Sequence, residues 1–186
     1  MKQPKVAVVI PAKNAEKTLE KAFVSVLNQK IEESIEICIA VAPSEDSTLD
    51  VAKRIELDNE NVTLVENPSG KTPAGLNLAI KNTQAPVIVR LDAHAELGEK
   101  YVSIALETLE KTGAANVGGI QKAEGSSRVE RSIAIGMTSR FGVGNSKFHY
   151  GGKEGPTDTV YLGVYEKKAF RELGGFNETL IRNQDY

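Results

Sequence analysis

Short apolar runs that alternate with stretches of helical spacing constrain this chain of 186 residues more than any other feature. Lys5-Val-Ala-Val-Val-Ile10 reads as a first strand buried on both faces and closed by Pro11. Leu19, Ala22, Phe23, Val26 and Leu27 then recur at helical spacing, with Asn14 placed to cap that helix. Ile35 to Val41 is a second strand. Leu49, Ala52 and Ile55 mark a helix, and Val62 to Val65 a third strand. Thr72 to Ile80 carries proline where a first helical turn tolerates it. Val87 to Leu91 is a fourth strand; Tyr101, Ile104, Ala105 and Leu109 give an amphipathic helix, and Ala114 to Ile120 a further strand. Strands alternating with crossover helices predict an α/β fold with a mostly parallel central sheet and helices on both faces. With no internal repeat and no linker, residues 1–186 are expected to form a single domain.

Beyond about residue 122 the alternation loosens. Gly125 to Gly155 is rich in Gly, Ser, Lys and Arg, with one helix expected near Val129 to Met137. Thr159 to Tyr165 restores a strand. A long irregular segment in a compact domain usually serves function. The aromatics Phe141, Phe148 and Tyr150 mark this one as an ordered, mobile substrate-side segment.

Composition narrows the class. A net charge of −2 with no basic block gives no footing for nucleic acid, which is not expected as a partner. The single Cys38 falls in a strand run, which makes it a buried thiol and excludes a disulfide framework. Val6 to Ile10 is too short for a signal peptide's apolar core, and no stretch approaches a membrane span. These features point to the cytoplasm. The final residues Arg182-Asn-Gln-Asp-Tyr186 follow a Gly-Gly-Phe loop without a terminal helix, which reads as an N-terminal fragment of a longer protein. Membrane association would come only through missing C-terminal parts, as a peripheral contact at the inner face of the cell membrane.

The fourth strand ends in a carboxylate and an imidazole, Asp92 and His94, two residues apart. Ligands of open α/β sheets bind outside the carboxyl ends of the strands. At extended spacing, side chains at i and i+2 share a side, so both groups are expected to reach one divalent cation. Mg²⁺ prefers oxygen, and Mn²⁺ also accepts imidazole nitrogen. Two other motifs fail. Gly70-Lys71-Thr72 lacks the earlier glycine of a P-loop, because position 65 is valine. The dinucleotide-binding glycines are missing after the first strand, where the chain reads Pro11-Ala-Lys-Asn14.

Taken in order, the remaining motifs resemble the family-two glycosyltransferases, inverting enzymes with a Rossmann-like, A-type nucleotide-sugar-binding fold. Val8-Val-Ile-Pro-Ala-Lys-Asn14 is similar to the family's opening strand and loop, and Leu27-Asn-Gln29 to the end of its first helix. Pro73-Ala-Gly-Leu-Asn77 resembles its alanine-asparagine helix start. Arg90-Leu-Asp-Ala-His94 stands where the family has its metal-binding D-x-D. Gly174-Gly-Phe-Asn-Glu178, followed by Asn183-Gln-Asp185, resembles the acceptor loop that leads to the catalytic carboxylate. Among subgroups, the chain is most similar to bacterial exopolysaccharide transferases of the succinoglycan-biosynthesis type.

The resemblance implies transfer of a sugar, with inversion, from a nucleoside diphosphate sugar to a glycan or lipid-linked acceptor in polysaccharide or cell-envelope biosynthesis. It implies a divalent cation, Mn²⁺ or Mg²⁺, at Asp92 and His94, and Asp185 as the general base. The nucleotide is expected across Pro11, Ala12 and Asn14, the turn Pro43, Ser44, Glu45 and Asp46, then Lys71 and Asp92. Residues to about 122 would form the nucleotide-binding part and those from about 123 the acceptor side. Two departures stand out. The family usually has Asp directly after its second strand, whereas this chain reads Ala42-Pro-Ser-Glu-Asp46; and His94 replaces a second Asp. Two alternatives compete: a nucleotidyltransferase, whose glycine-rich opening loop residues 11 to 16 lack, and a non-catalytic nucleotide-binding homologue or fragment.

Overall fold

Alternate residues of the first strand, β1 (Val6–Ala12), face two different cores, and this divides the molecule into layers. The computed structural model describes residues 5–123, 127–137, 149 and 154–180. Val6, Val8 and Ile10 pack with helices α1 (Leu19–Leu27), α2 (Thr48–Asp58) and α4 (Tyr101–Thr112). Ala7 and Val9 pack on the other side with α3 (Thr72–Lys81), through Leu76, Ala79 and Ile80. All five residues from Val6 to Ile10 are fully buried. That is why the run is continuously apolar rather than alternating. The expected α/β sheet with helices on both faces is what forms.

Strands β2 (Ile35–Val41) and β4 (Val87–Arg90) flank β1 in parallel, and β3 (Val62–Glu66) lies parallel to β2. Strand β6 (Tyr161–Glu166) runs antiparallel to β4, and β5 (Asn116–Gly119) runs antiparallel to β6. The sheet order is β3-β2-β1-β4-β6-β5. The boundary expected near residue 122 thus falls between two strands of one continuous sheet. A short helix α6 (Lys167–Glu172) follows β6, and Tyr165, Phe170 and Phe176 form a ring cluster below α3.

Several local expectations need adjustment. Pro11 does not close β1, which runs on to Ala12. The ladder to β4 ends at Val9 and Arg90, and the Leu91 N–H donates to the Val9 carbonyl. In a parallel ladder, alternate residues face alternate neighbours, so residue 11 faces the side where β4 has already ended. A proline there forfeits no ladder bond. Asn14 does not cap α1, which begins at Leu19 behind Thr18. Strand β4 stops at Arg90, one residue earlier than the apolar run suggests.

Cys38 is buried as expected, and desolvation pushes its thiol up to about 12. Helix α5 (Arg128–Met137) forms where anticipated, but Val129, Ile133 and Ile135 remain exposed. Phe141, Phe148 and Tyr150 lie outside the described residues. Among the described residues, no helix is long and apolar enough to cross a membrane.

Candidate functional site

Strand order reverses at β1, whose two neighbours β2 and β4 lead away in opposite directions. The loops leaving β1 and β4 must part there, and such a switch point opens a crevice at the carboxyl ends of the strands. A cleft of about 300 Å³ lies there. It is lined by Pro11, Lys13, Asn14, Ala15 and Thr18 from the β1 side. Arg90, Asp92, Ala93 and His94 line it from the end of β4, and Thr72 from the start of α3.

The structure brings Asp92 and His94 to this one cleft, though not by the extended spacing that predicts it. The chain turns after Asp92, and the Ala95 N–H donates to the Asp92 carbonyl at 2.9 Å. The pair held at i and i+2 is instead Arg90 and Asp92. The Arg90 Nε donates to Asp92 Oδ1 at 3.0 Å and its Nη2 to Oδ2 at 3.4 Å. Both side chains are largely buried, 10% and 18% exposed. His94 is exposed on the rim. Two cationic side chains, Lys13 and Arg90, thus face one carboxylate, so the lining favours an anion.

The donor set also bears on a cation. Asp92 and His94 supply two protein donors, and among the described residues no group of three or more His, Cys, Asp or Glu side chains comes together for a metal. Such a set holds an ion only weakly by itself. It fits an ion shared with a ligand's phosphates, since Mg²⁺ commonly takes one or two carboxylates plus substrate oxygens.

Asn14, Ser44, Glu45 and Asp46 meet at the neighbouring loop crossing, where Asn14 binds Ser44 and Glu45, and Asp46 binds Glu16 and Thr48. Asn14 sits at φ 49°, a left-handed conformation that Asn tolerates better than most residues. Its N–H donates to Ser44 Oγ at 3.1 Å, and its Oδ1 accepts from the Glu45 N–H at 2.9 Å. The Asp46 carboxylate accepts from the N–H groups of Glu16 and Thr48, each at 3.0 Å, and from the Thr48 hydroxyl. The Thr48 hydroxyl in turn accepts from the Ala15 N–H at 2.7 Å. These bonds, led by the Thr48 hydroxyl, hold the Asp46 pKa below the ordinary carboxylate range. The crossing fixes the β1 loop against the start of α2. Pro43 is exposed beside it, and Ala12 is buried at the end of β1.

Lys71 stands just before α3 and does not line the cleft; its Nζ donates to the Glu178 carbonyl at 3.4 Å. The same loop is gripped by Asn77 of α3. The Asn77 Nδ2 donates to the Phe176 carbonyl at 2.9 Å and to Glu178 Oε1 at 2.8 Å, and its Oδ1 accepts from the Phe176 N–H at 2.9 Å. Left-handed backbone accounts for both glycines of the pair, and the grip for the second. Gly174 and Gly175 have φ 81° and 85°, and a Cβ at Gly175 would lie 2.9 Å from Asn77 Oδ1. Asp185 lies outside the described residues.

Sequence reasoning missed Lys13, Thr18, Thr72, Arg90 and the grip of Asn77. The signal for Arg90 was its own i, i+2 relation to Asp92. Lys13 follows directly from the end of β1.

The sequence pattern of glycosyl transferase family 2 matches residues 7–174. The chain belongs to that family. Succinoglycan biosynthesis protein ExoA of Rhizobium meliloti (strain 1021) is 26% identical over 185 residues, covering 96% of this chain and 54% of ExoA. A dolichyl N-acetyl-alpha-D-glucosaminyl phosphate 3-beta-D-2,3-diacetamido-2,3-dideoxy-beta-D-glucuronosyltransferase of Methanococcus voltae is 30% identical over 190 residues, covering 97% of this chain and 59% of that enzyme. This family-two chain thus spans a little over half the length of these curated relatives. Mannosyltransferase PcManGT from Pyrobaculum calidifontis, solved with GDP-Man and Mn²⁺, superposes with a TM-score of 0.70 at 18% identity, covering 96% of this chain and 49% of that one. At that identity the likeness concerns the fold, which is that of the family's A-type transferases.

Proposed function

We propose that the chain forms the donor side, and part of the acceptor side, of an inverting glycosyltransferase. It moves a sugar from a nucleoside diphosphate sugar to a glycan or lipid-linked acceptor in polysaccharide or cell-envelope biosynthesis. The observation that carries this reading is the switch-point cleft, where Lys13 and Arg90 outweigh Asp92 and offer positive charge to a diphosphate. Family membership supports the reaction class, and a nucleotidyltransferase does not fit it. The named activities of the two relatives support a polymer or a lipid-linked sugar as acceptor.

In this reading the diphosphate lies against Lys13 and Arg90, while the base sits over the crossing formed by Ala12, Asn14 and residues Pro43 to Asp46. Lys71, close by at the start of α3, adds charge beside the nucleotide and steadies the acceptor loop. Asp92 and His94 would hold a divalent cation, Mn²⁺ or Mg²⁺, and the Mn²⁺ in the PcManGT complex is in keeping with this. When bound, such an ion offsets negative charge on the leaving nucleoside diphosphate. Inversion needs the acceptor hydroxyl oxygen to attack the sugar's anomeric carbon from the face opposite the phosphate. The new C–O bond forms as the anomeric carbon–phosphate oxygen bond breaks, and the hydroxyl proton passes to a carboxylate. Asp185, which follows the gripped loop 174–178, is the base assigned here. The reaction belongs at the cytoplasmic face of the cell membrane, with a peripheral attachment.

Calorimetry with UDP, GDP and dTDP, each with and without Mn²⁺, tests the donor reading and names the base. Binding of one diphosphate over the others is expected; failure of all three under both conditions would overturn it. For the base, Asp185→Asn in the active enzyme should lower transfer roughly 10²–10⁴-fold while leaving donor affinity unchanged.

A further inference from the structure

We propose that the Arg90–Asp92 ion pair is an internal stand-in for the ligands of the cleft, and that loading the site exchanges its partners. This rests on the donor-site reading above. The guanidinium lies against Asp92 where a cation would otherwise lie. The carboxylate lies against Arg90 where a phosphate would otherwise lie. Three observations carry the idea. Both oxygens of Asp92 accept from Arg90, at 3.0 and 3.4 Å, so the carboxylate is satisfied without a metal. The pair lies in the wall of the cleft rather than in either core. The backbone around it is pinned: Leu91 and Ala93 are buried, and the Leu91 N–H is bonded to Val9 at 3.0 Å.

Exchange therefore needs only side-chain rotation, with no movement of the strand. The chemistry is symmetrical. A guanidinium fork matches phosphate as well as it matches carboxylate, and a carboxylate accepts a divalent cation as readily as a guanidinium. A largely buried charge deprived of its partner is costly, so each group is held in reserve until its external partner arrives. The pair keeps the empty cleft from gathering a metal or a free phosphate alone. Diphosphate and cation enter together because each releases the group that the other needs.

This predicts a crossed pattern that a merely structural salt bridge would not give. Two probes on the chain read it: Mn²⁺ alone, followed by the electron-spin signal of the free ion, and UDP and GDP in EDTA, followed by calorimetry. Arg90→Gln should tighten Mn²⁺ binding roughly tenfold and weaken metal-free diphosphate binding by a similar factor. Asp92→Asn should do the reverse, losing Mn²⁺ and gaining metal-free diphosphate affinity. Arg90→Lys keeps the charge without the fork, so Mn²⁺ should stay as weak as in the parent; thermal unfolding confirms that each variant is folded. Should Arg90→Gln fail to fold, the Asp92→Asn and Arg90→Lys arms decide the matter. An Asp92→Asn variant that loses both ligands, or a folded Arg90→Gln variant with unchanged Mn²⁺ affinity, overturns the exchange. If neither nucleotide binds any variant even with Mn²⁺, the donor reading fails instead, and the Mn²⁺ arm still judges the pair.

Discussion

Asn14 shows how a residue's chemistry can be legible while its partner is not. Asparagine is both a good helix cap and a residue that tolerates a left-handed backbone. Here the second property wins, because Ser44 and Glu45, some thirty residues away, supply its bonds. Arg90 was overlooked for a related reason. It closes an apolar strand, and nothing in a linear reading says that β4 ends there and lets Arg90 meet Asp92. Cys38, by contrast, was readable from its run alone. Its thiol, pushed up to about 12 by burial, is almost wholly protonated at neutral pH. Alkylation by iodoacetamide near pH 8 should be about 10³-fold slower in the folded chain than in denaturant. A folded-state rate within tenfold of the denatured one would show that the thiol is neither buried nor raised.

At the scale of elements, period and spacing located every strand and helix described except the short α6, and otherwise erred mainly at the ends. Ends are set by neighbours: β1 continues through Pro11 because β4 no longer needs its N–H, and β4 stops where the chain turns at Asp92. The crossing of the β1 loop with the start of α2 is held in part by the carboxylate of Asp46, beside that of Glu16, which accepts from the Ser47 N–H at 3.0 Å. Asp46 has a lowered pKa, so its contribution is fully present above the unfolded value of about 3.9 and is lost as pH falls through the lower folded value. Denaturant midpoints for the parent chain and Asp46→Asn should therefore differ near neutrality and converge as pH drops below about 3.9. A gap that persists to about pH 2 would mean that the carboxylate's charge is not what secures the crossing.

For the molecule as a whole, fold class followed from alternation, because fully buried parallel strands leave an unmistakable run of apolar residues. The order of the strands did not. Nothing in Tyr161 to Glu166 says that this strand inserts between β4 and β5, since edge and interior strands share the same composition when both faces are covered. The cleft was legible as a place, the carboxyl ends of the strands, but its positive wall was not. Lys13 and Arg90 become neighbours only once β1 and β4 lie side by side.

The late insertion of β6 has a consequence for how the chain is made. Val89 pairs with Val164, a partner 75 positions further along, and among the described residues β5 pairs with β6 alone. A ribosome delivers β4 well before its neighbour, so during synthesis the edge holding Ile88 and Val89 stands bare. An unpaired apolar edge is a template for wrong pairings. Chains released at residue 130 should thus be cut readily by protease around β4 and β5, and the chain of 186 residues should be protected. Equal protection at both lengths would mean that the first four strands close on their own, and that the later strand is an addition rather than a keystone.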